Sequence, residues 1–167
     1  QVRARLDHPV IDSDGHYVEI TPLLEDYIRE AGGADTVRWL KSRRPRFVDW
    51  YSMTDKERRD NWAAAPAWWF VTQDALDRAT ASLPRLLHER MDELGIDFAI
   101  LYPTRGLVVP LFQDEELRRI SCRAYNTYMA DMYRQYADRM TPAAAIPMHT
   151  PQEAIEEMEY AIKVLGL

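Results

Sequence analysis

Cysteine is nearly absent from this chain: Cys122 is the only one among 167 residues. A single thiol excludes an intrachain disulfide. Because Cys122 falls within a helical pattern, we expect a small side chain that is buried or half-buried. A reducing, cytoplasmic setting fits this composition best.

Long apolar runs are also lacking. No segment approaches the roughly 18 consecutive apolar residues of a membrane span, and the first residues lack the apolar core of a secretory signal. The composition, with 47% hydrophobic and 29% charged residues, is typical of a soluble globular domain with one buried core. We therefore expect one domain, or part of one, and no membrane partner.

Positive charge is in deficit, with 21 Lys and Arg against 27 Asp and Glu and a net charge of -6. Nucleic-acid binding depends on clustered Lys and Arg, so this balance disfavours a nucleic-acid partner. The exception is the run at residues 41–46 (KSRRPR). A solvated face and an anion-binding or localisation patch both remain open for it.

The order of the predicted elements indicates an α/β fold. Short apolar runs predict strands over residues 9–13, 96–102 and 143–148. Caps and helical periodicity predict helices that begin at Thr21, Pro84, Asp114 and Thr150, the first of which ends at Gly32-Gly33. Alternating strands and helices imply parallel strands joined by helical crossovers.

The last predicted helix begins with the capping box Thr150-Pro151-Gln152-Glu153. Its apolar residues recur at helical spacing and are predicted to face inward: Ile155, Met158, Ile162 and Leu165. The pattern then calls for another strand, and a parallel sheet of three strands leaves apolar edges uncovered. We therefore expect residues 1–167 to be the N-terminal part of one domain whose C-terminal half is absent.

Residues 34–81 lack clear periodicity, which predicts an irregular insertion after the first strand and its helix. All five tryptophans fall in this window: Trp39, Trp50, Trp62, Trp68 and Trp69. An aromatic cluster of this kind could form a lid, a subunit contact or an interaction module, since long ordered loops are often functional. Local packing that keeps the loop compact is equally open.

Acidic residues and a histidine alternate at the end of the first predicted strand, at Asp12, Asp14 and His16. Parallel α/β folds place their active sites at the carboxyl ends of strands. In an extended backbone, Asp14 and His16 point the same way and can reach one cation. An EF-hand loop is excluded because the positions that need Gly and Glu hold Tyr17 and Leu23. A metal site and ordinary turn hydrogen bonds both remain open at this point.

Residues 10–19 (VIDSDGHYVE) resemble the first-strand motif of the amidohydrolase-related family, which includes aminocarboxymuconate-semialdehyde decarboxylase and the hydroxybenzoate decarboxylases. Further segments with this resemblance follow in order at 91–97 (MDELGID), 101–104 (LYPT), 123–126 (RAYN) and 146–151 (IPMHTP). Together they are distributed over most of the chain outside the insertion. The resemblance implies the N-terminal part of a (β/α)8 TIM-type barrel.

The family motif is Asp-x-His-x-His, whose two histidines are metal ligands. This sequence has Asp14 at the first histidine position, so the resemblance implies Asp14 and His16 as ligands and leaves Asp12 to support the strand end. An oxygen donor shifts the preference toward harder metals. Zinc remains the first choice, with iron or manganese open. The family's other ligands, a histidine after the fifth strand and an aspartate after the eighth, fall outside these 167 residues.

The remaining site residues are candidates. The catalytic group is not assigned. Glu19 is a candidate as an outer ligand, as a partner that supports a ligand or as a proton donor, and His149 is a candidate to bind substrate or to move protons. Tyr102 and Arg105 follow the second strand, where Arg105 could pair with a substrate carboxylate. The alternative for each of these side chains is an exposed or loop position without a role in a site. Asn126 is expected to pack its helix against the sheet.

The resemblance implies metal-assisted decarboxylation or hydrolysis of a small carboxylated or cyclic organic substrate. It also implies a homo-oligomer as an expectation. The alternative is a metal-free binding or scaffold protein of the same fold, in which Asp14 marks a decayed site.

Overall fold

A computed structural model describes residues 3–43, 53–60 and 74–167. Its strands are β1 (Ile11–Tyr17), β2 (Phe98–Pro103) and β3 (Met140–Pro142). Its α-helices are α1 (Thr21–Arg43), α2 (Asp55–Asp60), α3 (Ala75–Thr80), α4 (Pro84–Leu94), α5 (Glu115–Tyr133) and α6 (Pro151–Tyr160), and a π-helical turn, Ala161–Leu165, continues α6. No helix in this part of the chain is both long and apolar enough to cross a bilayer.

Within these residues the strands form one parallel sheet in the order β1-β2-β3. The predicted α/β class with parallel strands is therefore confirmed. α5 packs against one face of the sheet and supplies most of the large buried side chains, which exclude water from the core. The central residues of this core are Tyr17, Met91, Leu101, Tyr125, Tyr128, Met129 and Met140.

β1 begins two residues later than predicted and continues through the acidic motif to Tyr17. Asp12 pairs with Ala99 and Gly15 with Leu101, so β1 contains one extra residue between these pairs, as in a β-bulge. The Asp12 Oδ1 atom accepts a hydrogen bond from the backbone N–H of Asp14 at 3.1 Å. Asp12 was predicted to support the end of the strand, whereas the structure places its contact at the irregularity near the start of β1.

The two faces of the sheet differ in exposure. Ala99 and Leu101 point into the core and are 2% exposed. On the opposite face Ile11 is 56% and Tyr102 37% exposed, and His16 pairs in register with Tyr102. Since paired residues of neighbouring strands point to the same side of a sheet, His16 and Tyr102 share this open face.

β3 lies three residues earlier than the predicted strand at 143–148. The side chain of Asn126 takes the place of a strand partner for Ala145: its Nδ2 donates to the Ala145 carbonyl at 3.0 Å, and its Oδ1 accepts from the Ala145 N–H at 2.7 Å. The N–H and C=O groups of Ala145 therefore both have hydrogen-bond partners without pairing to a neighbouring strand. The expected packing role of Asn126 is confirmed.

α1 contains a break at Gly33, whose φ of 81° and ψ of 173° are not helical. Lys41 Nζ lies 2.8 Å from Glu25 Oε2 across this break, whereas a straight helix would separate the two residues by about 24 Å. The helix end predicted at Gly33 is therefore confirmed. The irregular structure predicted from residue 34 is wrong for residues 34–43, which form a second helical limb with Val37 buried.

The predicted tryptophan cluster is only partly within the described residues. The Trp39 ring packs edge-on against Phe112, with ring centroids 6.2 Å apart. α2 and α3 add short helices to the window predicted to be irregular. Trp50, Trp62, Trp68 and Trp69 lie outside the described residues, so the aromatic cluster stays a prediction.

The inward face predicted for α6 is wrong. The buried positions are Glu153, Glu157 and Ala161, which recur every four residues. The apolar positions face outward, with Ile155, Met158 and Ile162 exposed by 53%, 46% and 59%, and Leu165 is half-buried. Arginines of α5 pair with the buried glutamates. Charge pairing therefore decides which side of α6 meets α5.

Three predicted helix ends agree with the structure because their chemistry is local. Asp114 Oδ1 accepts the N–H of Leu117 at 2.9 Å, and Thr150 Oγ1 accepts the N–H of Glu153 at 3.2 Å. Gly95 ends α4 with a φ of 77°, a conformation that favours glycine.

Candidate metal centre

His16 lies one residue before the carboxyl end of β1 and is half-buried. Its Nδ1 atom is 3.0 Å from the carbonyl oxygen of Pro103, the last residue of β2. A carbonyl oxygen can only accept, so Nδ1 carries the proton and the lone pair of the neutral ring is on Nε2. Ligating histidines in metal sites are held in this way, through the ring nitrogen that does not bind the metal.

Asp14 is exposed and lies in the irregular part of β1, two residues before His16. A carboxylate and an imidazole together suit zinc, iron or manganese. Among residues 3–43, 53–60 and 74–167, no group of three or more His, Cys, Asp or Glu side chains is placed to hold a metal. The described chain therefore offers two donors of a fitting kind and would need others to complete a site.

Glu19 is completely buried, two residues after β1. Its Oε1 atom accepts from the backbone N–H groups of Thr104, Arg105 and Gly106 at 3.1, 3.0 and 2.8 Å, and its Oε2 atom accepts from Arg105 N–H at 2.9 Å. Burial raises the pKa of this carboxyl, while the bonds from Arg105, Gly106 and Thr104 oppose the rise. This cradle of backbone donors suits a carboxylate, which only accepts.

The loop after β2 fits closely because residue 106 is glycine. A Cβ atom at Gly106 would lie 2.5 Å from the Tyr125 ring and 2.8 Å from Pro103 Cβ. Tyr125 and Pro103 are both buried, so neither side chain has room to move. The position of the loop is therefore fixed by packing on one side and by Glu19 on the other.

The two predicted substrate-binding residues lie near this loop. The Tyr102 ring is tilted against His16, with ring centroids 6.2 Å apart. Arg105 Nη1 donates to Thr21 Oγ1 at 2.7 Å, at the start of α1. The carboxyl ends of parallel strands share one edge of a sheet, so these side chains belong to the same region as His16.

His149 is exposed and lies next to Thr150, the N-cap of α6. The pKa of Glu153 is lowered mainly by the hydrogen bond from Arg118. His149 makes a small electrostatic contribution in the same direction. The structure thus brings Tyr102 to His16 and Arg105 to Glu19, and places His149 beside α6.

Sequence reasoning missed the contact partners of Glu19 and the fit of Gly106. Both depend on the pairing of β1 with β2, segments more than 80 residues apart in the chain. The only signals in the sequence were a glutamate shortly after the His16 motif and a glycine shortly after the Leu-Tyr-Pro-Thr segment. Neither indicates a mutual contact by itself.

Comparison with known proteins gives a structural likeness only. No family model matches the sequence, and no curated protein matches it. 2,6-Dihydroxybenzoate decarboxylase from Rhizobium aligns with a TM-score of 0.50 and 18% identity over 96% of this chain and 36% of its own. A 2,6-dihydroxybenzoate decarboxylase complexed with 2,6-dihydroxybenzoate aligns with a TM-score of 0.50 and 22% identity over 96% of this chain and 37% of its own.

A third solved structure, 4-oxalomesaconate hydratase from Rhodopseudomonas palustris, aligns with a TM-score of 0.50 and 20% identity over 94% of this chain and 40% of its own. The chain thus spans 36 to 40% of the length of these three proteins. It has the α/β fold of the matching part of these enzymes. The resemblance to the family that includes the hydroxybenzoate decarboxylases is confirmed at the level of the fold.

Proposed function

We propose that this chain is the N-terminal part of a metal-dependent (β/α)8-barrel enzyme of the amidohydrolase superfamily that acts on a small carboxylated organic substrate. The observation that carries the proposal is the hydrogen bond of His16 Nδ1 to the Pro103 carbonyl at the carboxyl end of the sheet. This contact would leave Nε2 as the atom that binds the metal. Asp14 would supply a second donor two residues away.

The uncovered surfaces of the molecule support a larger barrel. Ile11 and Tyr102 on the open face of the sheet are substantially exposed, as are Ile155 on α6 and Ile162 on the π-helical turn that continues it. In a closed barrel later strands would cover that face and fill the interior. Residues 1–167 would then be one part of a single domain, in keeping with the share of the three similar structures that the chain spans.

Asp14 and His16 would hold the metal together with residues outside the described part of the chain. When bound, a divalent ion supplies Lewis-acid activation of a substrate carboxylate and hydroxyl, or of a water molecule. Zinc is the first choice, and iron and manganese are the alternatives for a mixed oxygen and nitrogen donor set.

Two further residues would bind the substrate. Arg105, anchored through Nη1 to Thr21, would place its positive charge beside a substrate carboxylate. The Tyr102 ring, on the same face as His16, would line the apolar side of the pocket. His149 is retained as a candidate for proton transfer.

Decarboxylation is the first reaction to test. Two of the similar structures are named 2,6-dihydroxybenzoate decarboxylases and the third acts as a hydratase on 4-oxalomesaconate. These names share a carboxylated substrate, which supports that class for this chain. Hydrolysis of a carboxylated or cyclic compound is the second candidate, since the same metal chemistry serves both.

A metal-free binding or scaffold protein of the same fold is the alternative from another class. Asp14, which stands where the family has a histidine, is the residue that favours it. A cytoplasmic location and a homo-oligomer remain part of the proposal for the enzyme.

The proposed activity is tested with the intact protein and a panel of hydroxybenzoates, with carbon dioxide release as the signal. We expect turnover that chelation abolishes and added zinc, manganese or iron(II) restores. His16→Ala should lose it, whereas His88→Ala should keep it, because His88 pairs with Asp138 on the surface. Release that is unaffected by chelation and by His16→Ala would contradict the proposal.

A further inference from the structure

One peptide group connects Glu19 with His16. The N–H of Thr104 donates to Glu19 Oε1 at 3.1 Å, and the carbonyl of Pro103 lies 3.0 Å from His16 Nδ1. These two groups belong to the same peptide unit, which is trans like the other peptide bonds of the described residues. In a trans peptide the N–H and C=O point in opposite directions. Glu19 and His16 therefore form hydrogen bonds with opposite sides of the same peptide group, Glu19 with its N–H and His16 with its C=O.

We propose that Glu19 is a positioning residue for His16 and acts through the peptide group between Pro103 and Thr104. This inference rests on the proposed function, in which His16 is a metal ligand. Among the roles that the sequence left open for Glu19, it selects support of a metal ligand over direct proton transfer, because the carboxyl group is enclosed by backbone donors.

The first consequence of this arrangement is electronic. A carboxylate that accepts an amide N–H polarises the amide, and the carbonyl oxygen becomes a stronger acceptor, because hydrogen bonds in series reinforce each other. The stronger acceptor holds the proton on Nδ1 and increases the basicity of Nε2. In metal sites the second ring nitrogen of a ligating histidine commonly donates to a carboxylate or to a backbone carbonyl. Here the Pro103 carbonyl accepts from His16, and the Glu19 carboxylate accepts from the N–H of the same peptide group.

The second consequence is geometric. Glu19 also holds the N–H groups of Arg105 and Gly106, and the missing Cβ of Gly106 lets this loop pack against Tyr125. These contacts fix the position of the Pro103 carbonyl independently of its hydrogen bond with His16. The orientation of the imidazole is set by a rigid acceptor, so less ordering is needed when a metal binds.

A purely structural role for Glu19 would affect stability without affecting His16. The experiment therefore compares Glu19→Gln with Glu25→Gln in the intact protein. Glu25 is also a buried glutamate in this region, 8% exposed, but it pairs with Lys41 on α1. Both variants lose a buried carboxylate. Only Glu19→Gln replaces the charged acceptor of the Thr104 N–H by a neutral amide, whose NH₂ group cannot accept from Arg105.

The first measurement is the affinity for Zn²⁺ in competition with a chromophoric chelator. Glu19→Gln should weaken binding by about 10- to 100-fold, the range for residues that support a ligating histidine, and Glu25→Gln should stay within about twofold of wild type. The second is the ¹⁵N chemical shifts of the His16 ring in the metal-free protein. They should show the Nδ1–H tautomer in wild type and a smaller fraction of it in Glu19→Gln.

The outcomes separate this inference from the proposed function. A wild-type protein that binds no Zn²⁺ overturns the proposed function, while the ring shifts still decide the link between Glu19 and His16. A folded Glu19→Gln protein with wild-type affinity and ring shifts overturns the link. If that variant does not fold, Glu19→Asp provides the same comparison with a shorter carboxylate. An Nε2–H tautomer in the wild-type protein overturns the link whatever the variants show.

Discussion

Arg118 on α5 and Glu153 on α6 form an ion pair through two parallel contacts, Nε to Oε2 and Nη2 to Oε1, both 2.8 Å long. The two side chains are only 3% and 2% exposed. Arg123 and Glu157 form a second pair one turn further along, at 2.8 Å. These contacts turn the polar side of α6 toward α5 and leave its apolar residues on the outside.

Removal of one partner of this pair should destabilise the fold. Arg118→Ala would leave Glu153 buried without its counter-charge, and we expect the Tm to fall by about 10 °C. Arg119→Ala is the matched control, since Arg119 is 45% exposed and pairs with Glu156 at the surface; it should change the Tm by about 2 °C or less. Differential scanning calorimetry gives both values, and equal shifts would contradict the assignment.

Asn126 should be essential for the segment after β3. Asn126→Ala removes the partner of both Ala145 backbone groups and the bond to Glu157 Oε1 at 2.8 Å. We expect a loss of about 2–4 kcal/mol in the free energy of unfolding, because buried polar groups are left unpaired. Thr127→Ala on the same helix should cost less than about 1 kcal/mol. Urea unfolding measures both, and a similar small loss in the two variants would refute the role of Asn126.

The decrease in the free energy of unfolding at acidic pH should depend on Asp97. Hydrogen bonds from Arg3 and from the Val10 N–H lower the pKa of Asp97 below its ordinary value of 3.8. A carboxyl with a lowered pKa in the folded state stabilises the fold above the ordinary value, and this contribution is lost as the pH falls through the folded-state value. Urea unfolding between pH 2 and 6 should therefore show a shallower acid decline in Asp97→Asn. An unchanged acid slope would contradict this account.

Cys122 should be unreactive in the folded protein. Its side chain is 0% exposed, and burial raises the pKa of the thiol to about 12. At pH 8 only about one thiol in 10⁴ would be a thiolate, which is the reactive form. A disulfide reagent should label less than about a tenth of the folded protein in an hour and all of it in urea. Rapid stoichiometric labelling without denaturant would show that the core around α5 is open.

Features with local causes could be predicted from the sequence. The ends of α4, α5 and α6 follow from Gly95, Asp114 and Thr150, whose side chain or backbone freedom acts within one helical turn. The choice of Asp14 and His16 as metal donors depends on the same kind of local signal, a short motif within β1, and stays a prediction.

Features that depend on distant partners could not be predicted in this way. The buried side of α6 is set by charges on α5, so apolar spacing alone could not predict that Glu153 and Glu157 face α5. The cradle of Glu19 forms only when β1 pairs with β2. A periodic pattern shows that a helix has two faces, but the partner decides which face is buried.

The most direct test of the proposed metal site is the metal content of the intact protein, purified without chelator and measured by inductively coupled plasma mass spectrometry. We expect about one equivalent of zinc, iron or manganese per chain in the wild type. Asp14→Ala and His16→Ala should each lose most of it while their circular dichroism spectra stay unchanged. A wild-type protein without stoichiometric metal, or folded variants that retain the full amount, would contradict the account.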